Sequence, residues 1–159
     1  MSNKPLLSNA GLTLVEITIA LLVLLLVTLA LMQTALLSIG YNMNNVLRDE
    51  AAGVADMRMD DVKGRAFAAL STYAEPTIPT ADHDLCPSVP DPATGVVGVF
   101  PATGVVIKRD LKNVMNYPFC TNALVSPLDA NTMRITVTVG WTWKGENFNH
   151  VYTSLVRQL

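Results

Sequence analysis

Residues 11–39 read GLTLVEITIALLVLLLVTLALMQTALLSI, and this stretch decides the fold. From Ile17 to Ile39 it contains no charged residue, no glycine and no proline. An α-helix rises about 1.5 Å per residue, so this run is roughly 35 Å long, more than the hydrocarbon core of about 30 Å. The stretch therefore predicts one membrane-spanning helix near the N-terminus.

The rest of the chain has the composition of a small globular domain. Of the 159 residues, 50% are hydrophobic and 15% are charged, and the apolar excess lies between Leu12 and Ile39. A chain of this length holds one compact domain beside a membrane segment. The formal net charge is −2, whereas proteins that bind nucleic acid usually carry clustered Lys and Arg. We expect no nucleic-acid partner.

The orientation follows from the residues that flank the apolar run. Lys4 and the amino terminus precede it, so the positive-inside rule favours a cytoplasmic N-terminus and a head outside the cytoplasm. A cleaved secretory signal would have a shorter apolar core and small residues at the −3 and −1 positions. The nearest candidate, Gln33-Thr34-Ala35, has a long polar side chain at −3. A plain signal anchor stays open as an alternative.

The string Gly11-Leu12-Thr13-Leu14-Val15-Glu16 precedes the apolar run directly. It resembles the prepilin peptidase site of type IV pilins and type II secretion pseudopilins, in which a glycine, a glutamate at a fixed offset and an apolar helix follow one another. The resemblance implies that Gly11 is the last leader residue and Leu12 the first mature one. It also implies that prepilin peptidase cleaves between them and that Leu12 is N-methylated.

Glu16 is a lone carboxylate at the entrance to the apolar run. An ionisable residue in a membrane segment is costly and indicates a function. The resemblance implies that Glu16 pairs with the new N-terminal amine of a neighbouring subunit during filament assembly. The alternative is a glutamate that lies at the headgroup interface without a partner.

The helical pattern continues beyond Gly40. An amphipathic stripe predicts one helix from near Leu12 to about Leu70, because Gly53 and Gly64 are weak interruptions and no proline occurs before Pro76. The acidic cluster at 56–61 is interpreted as a solvated helix face that shares its carboxylates with nearby cations, rather than as a cation site. The stripe comprises Leu47, Ala51, Val54, Ala55, Met59, Val62, Ala66, Ala69 and Tyr73.

The remaining residues predict a head with an antiparallel sheet. The segments 96–100 and 105–109 flank a Pro-Ala-Thr-Gly turn and predict a hairpin. Arg134–Trp143 alternates apolar and polar residues, so it predicts a half-buried strand with Trp141 and Trp143 in the core. A turn at 144–147 and a returning strand at 148–157 complete a second hairpin. This C-terminal hairpin resembles that of PilV-type minor pilins.

Two cysteines and one polar triplet are the chemical candidates in the head. Cys86 and Cys120 predict a disulfide if the head is exported, and two reduced thiols are the alternative. Asp82-His83-Asp84 does not predict a metal site, because adjacent side chains point in different directions. No catalytic motif, phosphate loop or cofactor site is recognisable.

The sequence thus predicts an α+β protein in four segments: a leader at 1–11, a transmembrane half-helix at 12–39, an amphipathic half-helix at 40–73 and a sheet-containing head at 74–159. The resemblance implies a minor pilin that is not an enzyme, with a type II secretion pseudopilin as the alternative. A signal-anchored periplasmic binding or enzymatic domain is the further alternative. The implied partners are prepilin peptidase, other subunits, the inner-membrane assembly platform and lipid. The implied location is the inner membrane, with a periplasmic head, and then a filament or the cell surface.

Overall fold

A computed structural model describes residues 13–90, 95–111 and 114–158. The protein is α+β, as the sequence predicts, and its contacts divide it into two units that meet between Met43 and Asn44. The helices are α1 (Leu14–Lys63), α2 (Phe67–Leu70) and α3 (Thr80–His83). The strands are β1 (Val89–Pro90), β2 (Val97–Gly98), β3 (Val105–Leu111), β4 (Val114–Asp129), β5 (Thr132–Trp143) and β6 (Glu146–Arg157).

The N-terminal unit consists, over its described residues, of the first part of α1. This part is long and apolar enough to cross a membrane, and its side chains from Leu14 to Ile39 are exposed. Three threonines in it return their hydroxyls to backbone carbonyls: Thr18 to Val15 O, Thr28 to Leu25 O and Thr34 to Ala30 O, at 2.7–2.9 Å. The three hydroxyl groups are therefore satisfied within the helix and need no hydrogen-bond partner outside it.

The predicted amphipathic stripe is confirmed as far as Val62. Its members Leu47, Ala51, Val54, Ala55, Met59 and Val62 are all buried within the second unit. Apolar residues spaced by three and four positions share one face of a helix, so this face lies on the sheet. Ala66 and Ala69 were predicted to continue the stripe, but both are exposed.

The predicted extension of the first helix to about Leu70 is wrong. Helix α1 ends at Lys63, where the N–H of Gly64 closes the last turn on Asp60 O at 2.9 Å. Ala66 is extended, with ψ 141°, and the chain then forms the single turn of α2. The change of direction buries Leu70, which is 1% exposed. Burying the Leu70 side chain therefore stabilises the fold more than continuing the helix would, because the helix would add only the small side chains of Ala66 and Ala69 to the stripe.

Strands β3, β4, β5 and β6 form one antiparallel sheet in that order. The predicted C-terminal hairpin is confirmed, with Thr136 opposite Thr153 and Trp143 opposite Glu146. Its turn is shorter than predicted: Lys144 and Gly145 have φ of 51° and 80°, which is the two-residue turn that matches the twist of a hairpin.

One face of the sheet packs against α1. Phe119, Ile135, Val137 and Val139 are fully buried there. Trp141 lies between the rings of Phe119 and Phe148, at centroid distances of 6.2 and 5.8 Å. Trp141 is in the core as predicted, whereas Trp143 is only half-buried, because it lies at the end of β5 with Lys144 Nζ 5.9 Å from its ring.

The opposite face is also covered, although the alternation in β5 predicted a solvated one. A second core of Ile78, Val89, Phe100 and Cys120 packs there. A Cβ on Gly140 would lie 2.9 Å from Pro87 Cγ and 3.1 Å from Phe100 Cε2. These two residues therefore pack closer to the sheet than any side chain at position 140 would allow. The strand therefore needs glycine at this position.

The predicted hairpin of 96–100 with 105–109 is wrong. Strand β2 pairs with β1, and β3 pairs with β4. The segment between them instead bonds to an earlier loop: Ile78 N–H donates to Ala102 O at 2.8 Å, and Gly104 N–H donates to Pro76 O at 2.7 Å. Because of these bonds, residues 101–104 do not form the turn of a hairpin. Phe100, just before them, packs in the second core.

Candidate assembly and processing site

The start of α1 holds the residues that the leader motif singles out. Gly11 and Leu12 lie outside the described residues, so the cleavage site and the N-methylation site stay predictions. Thr13 precedes the helix, and Glu16 lies in its first turn. Both are exposed.

Thr13 caps α1. Its Oγ1 accepts a hydrogen bond from Glu16 N–H at 3.2 Å, and its carbonyl accepts one from Ile17 N–H at 3.2 Å. A threonine followed three residues later by glutamate is the capping-box spacing, which fixes where a helix begins. The sequence reasoning missed this role of Thr13, although the Thr-x-x-Glu spacing is visible in the sequence.

The Glu16 carboxylate has no partner among the described residues. Its position in the first turn favours a negative charge, because the helix dipole is positive there. A carboxylate that lies inside a membrane is costly and usually has a partner, whereas one at the headgroup interface needs none. The intersubunit ion pair that the resemblance implies for Glu16 therefore stays a prediction.

The predicted disulfide joins Cys86 and Cys120, and the prediction is confirmed. Their Cα atoms are 5.6 Å apart, within the normal range. Cys120 lies in β4, and Cys86 lies in the loop that covers the sheet. The bond therefore fastens the covering loop to the second core.

The head contains a buried charged network that the sequence reasoning missed. Arg58 on α1 is 8% exposed, and it donates to both carboxylate oxygens of Glu75. Glu75 Oε1 also accepts from Tyr73 Oη at 3.0 Å and from Ala123 N–H at 2.8 Å. Burial, and then the charge of Glu75, raise the pKa of Tyr73. The network fastens α1, the loop after α2 and β4 to one another.

Arg58 therefore corrects one part of the surface-cluster interpretation. It was placed on a solvated face with its acidic neighbours, but it is buried. Asp61, with its side chain 52% exposed, bridges Arg58 at 2.8 Å and Arg65 at 3.7 Å. Helical spacing places Arg58 beside the stripe. Its charge can be buried there because the Glu75 carboxylate accepts two hydrogen bonds from it.

The polar triplet 82–84 is engaged in contacts within the head. His83 Nε2 lies 2.8 Å from Phe100 O, and Lys108 Nζ lies 3.0 Å from Asp82 Oδ1. Within the residues that the structure describes, no group of three or more His, Cys, Asp or Glu side chains could hold a metal ion.

A groove of about 570 Å³ opens on the covered side of the sheet. Glu75 is the carboxylate among the described residues of its wall, and it forms an ion pair with Arg58. Thr138 also lines the groove, and its buried Oγ1 has no hydrogen-bond partner. Sequence reasoning could not find the groove, because its walls come from segments far apart in the chain: the 73–75 loop, residues 89–90 and 96–103, β4 and β5.

Comparison with known proteins adds no relative. No family model, no curated protein and no solved structure matches the chain.

Proposed function

We propose that this protein is a minor-pilin-like subunit that is processed by prepilin peptidase and that primes or joins a type IV pilus. The observation that carries the proposal is the leader motif Gly11–Glu16, which ends in the first turn of an exposed helix and directly precedes its membrane-length apolar run. A plain signal anchor requires the helix, but it requires neither the glycine nor the glutamate. In this proposal the protein crosses the inner membrane once, with its head in the periplasm.

Glu16 is the assembly residue of the proposed function. Cleavage after Gly11 creates an amine at Leu12, four residues from Glu16. A neighbouring subunit that is shifted along the helix axis brings its own amine to the depth of this carboxylate. Each charge then neutralises the other in a medium of low dielectric constant, where an unpaired charge is costly. The assembly platform in the inner membrane and the other subunits are the partners that this step requires.

Replacement of Glu16 tests the proposal. Glu16→Leu should insert into the membrane and lose its leader, but it should not enter filaments. Thr34→Val is the matched control, because it also removes a polar group from the apolar helix and should leave incorporation unchanged. Subunits are counted in sheared filaments and in membranes by immunoblotting. Normal incorporation of Glu16→Leu would remove the assembly role.

A type II secretion pseudopilin is the second candidate, because the leader motif is common to both systems. The continuous helix from Leu14 through Ile39 has no glycine or proline at which it could locally melt, which agrees with a pseudopilin as well as with a minor pilin. Deletion of the gene distinguishes the two: loss of surface pili favours the minor pilin, and an export defect with normal pili favours the pseudopilin. A signal-anchored periplasmic domain predicts neither phenotype.

A further inference from the structure

The segment that covers the sheet forms a unit of its own. We call the cover the described residues 76–90 and 95–104, which contribute Ile78, Val89 and Phe100 to the second core. Its two short strands, β1 and β2, pair with each other, and two backbone hydrogen bonds join its first residues to its last. The cover therefore satisfies part of its backbone hydrogen bonding without the sheet.

Polar contacts between the cover and the sheet involve side chains. Lys108 on β3 bridges Asp82 at 3.0 Å, but the two side chains are 46% and 35% exposed, and ion pairs of this kind contribute little. Asn122 Nδ2 on β4 donates to Thr103 O at 2.8 Å in an exposed position. Besides these contacts, the cover is held by the second core and by the disulfide.

The packing between the cover and the sheet is incomplete. The groove of about 570 Å³ lies between them, with Val89 and Val99 on the cover side and Leu124 and Thr138 on the sheet side. Thr138 is 3% exposed, and its Oγ1 has no hydrogen-bond partner. A buried hydroxyl without a partner favours any opening that returns it to water. The groove and this hydroxyl both make the interface less stable than a fully packed core.

The opposite face of the sheet is packed independently of the cover. Ile135, Val137 and Val139 on β5 are 0% exposed and lie on the side of α1. Side chains alternate between the two faces of a strand, so these residues and Thr138 point in opposite directions. The cover can therefore move away from the sheet without exposing the core that α1 shares with it.

The disulfide joins the two sides of the incomplete interface. Cys86 lies in the cover and is half-buried, whereas Cys120 lies in β4 and is 1% exposed. While this bond is intact, the middle of the cover cannot leave the second core. Once it is broken, only the apolar contacts of the second core and the exposed polar contacts oppose opening.

We propose that the disulfide is a redox latch on the cover. In the oxidised protein the cover is closed. In the reduced protein the cover opens and closes as one unit, while α1 and strands β3–β6 stay folded. Parts of a protein with incomplete packing open at a lower free energy than the whole domain unfolds. The open state exposes Cys120 and Thr138 to solvent, so the redox state controls access to the covered face of the sheet.

The latch opens by thiol–disulfide exchange. A thiolate of a small dithiol attacks Cys86 Sγ, which belongs to the more exposed of the two cysteines, and Cys120 leaves as a thiolate that takes up a proton. The second thiol of the reagent then releases Cys86. Two electrons have passed to the protein, which now carries two thiols, and the reagent has become a cyclic disulfide. The latch does not depend on the proposed function, because it involves no residue of the leader motif.

Hydrogen exchange of the full-length protein in detergent, with and without dithiothreitol, is the first test. In the oxidised protein, peptides that contain the hydrogen-bonded N–H groups of Ile78 and Gly104 should be protected about as well as the centre of β5. In the reduced protein, their protection should fall at least roughly tenfold below that of β5. Protection that falls equally in the cover and β5 would show that the disulfide supports the whole head. That result, or a cover already less protected in the oxidised protein, would overturn the proposal.

The second test is the rate at which a buried thiol reacts with N-ethylmaleimide. Cys86→Ser leaves the single thiol of Cys120 beneath the cover. The matched control is Cys86→Ser/Cys120→Ser/Val137→Cys, whose single thiol lies on the α1 side of the same sheet. Cys120 should react at least roughly tenfold faster, with a weak dependence on urea, because opening the cover exposes less surface than unfolding. Circular dichroism verifies both folds. Equal rates with the same dependence on urea would overturn the proposal.

The unpaired hydroxyl provides a third test. In the Cys86→Ser background, Thr138→Val should slow the labelling of Cys120 roughly tenfold, because the closed state no longer buries a hydroxyl without a partner. Thr136→Val is the matched control, since its hydroxyl lies 3.4 Å from Thr153 Oγ1, and it should leave the rate unchanged. An unchanged or faster rate with Thr138→Val would overturn the assignment of the opening to this interface.

Discussion

Arg58 Nη2 donates to both carboxylate oxygens of Glu75, at 2.9 and 3.0 Å. The two side chains are 9% and 4% exposed, so this ion pair lies within the head and not on its surface. It joins the helix that carries the apolar run to the loop that leads into the sheet. Buried pairs of this kind tolerate the loss of both charges far better than the loss of one.

The Arg58–Glu75 pair predicts a strongly non-additive response to mutation. Glu75→Leu should lower the free energy of unfolding by about 3–5 kcal/mol, because it leaves the Arg58 charge buried without its partner. Arg58→Met should have a similar effect. The double variant should cost clearly less than the sum of the two, as measured by denaturant unfolding of the full-length protein in detergent.

The half-exposed ion pair between Arg58 and Asp61 offers a control for these three variants. Asp61→Asn weakens the contact of Arg58 with a half-exposed carboxylate, so it should cost less than about 1 kcal/mol. Strictly additive effects of Arg58→Met and Glu75→Leu would show that the buried pair is not a coupled unit.

Two glycines should respond to alanine in opposite directions. Gly104 has φ 142°, and a Cβ there would collide with Thr121 O, so Gly104→Ala should destabilise the head by about 2–3 kcal/mol or more. Gly53 lies within α1 with no atom near an added Cβ, so Gly53→Ala should stabilise by roughly 0.5–1 kcal/mol. Thermal unfolding of both variants beside wild type checks the signs. Equal effects at the two sites would contradict the described backbone.

The disulfide should supply a large part of the stability of the head. Cys86 and Cys120 are separated by 34 residues, and closing a loop of that length in the unfolded chain is worth roughly 3–4 kcal/mol. Reduction should therefore lower the denaturation midpoint, and the double variant Cys86→Ser/Cys120→Ser should match reduced wild type. An unchanged midpoint after complete reduction, verified by thiol labelling, would oppose this prediction.

Stability should fall in alkaline solution because of two tyrosines. Burial raises the pKa of Tyr117, and burial together with the charge of Glu75 raises the pKa of Tyr73, above the usual value of 10.0. Above that pH the unfolded chain releases protons that the folded chain retains, so stability is complete below about pH 10 and declines as the pH rises towards the folded pKa values. Tyr117→Phe should flatten this decline in unfolding curves between about pH 9 and 11. The same slope in wild type and variant would contradict the assignment.

Periodic elements were predictable from the sequence, and contacts between distant segments were not. The apolar run, the stripe from Leu47 to Val62 and the strand ending at Trp143 each repeat a period over many residues, so one face is recognisable without the rest of the fold. The end of α1 was not predicted because it depends on tertiary structure. The chain bends between Gly64 and Ala66, and this bend places Leu70 in the core.

The covered face of the sheet shows why the rest of the head was not predictable. Thr138 lies on the polar face of the predicted strand, yet it is buried, and Pro87 and Phe100 lie close over its neighbour Gly140. The burial of Arg58 likewise depends on Glu75, 17 positions away along the chain. In the candidate site, the motif residues were recognised from the sequence, whereas the Thr-x-x-Glu cap was also visible there but was recognised only from the hydrogen bond between Glu16 N–H and Thr13 Oγ1.

The most direct test of the central claim is the intact mass of the protein from membranes of cells with and without prepilin peptidase. We predict that cells with the peptidase yield a chain that begins at Leu12 and is heavier by about 14 Da for one methyl group. Cells without it should yield the chain with residues 1–11 still attached. An intact leader in both strains would contradict the proposed function and would leave a signal-anchored periplasmic domain as the better account.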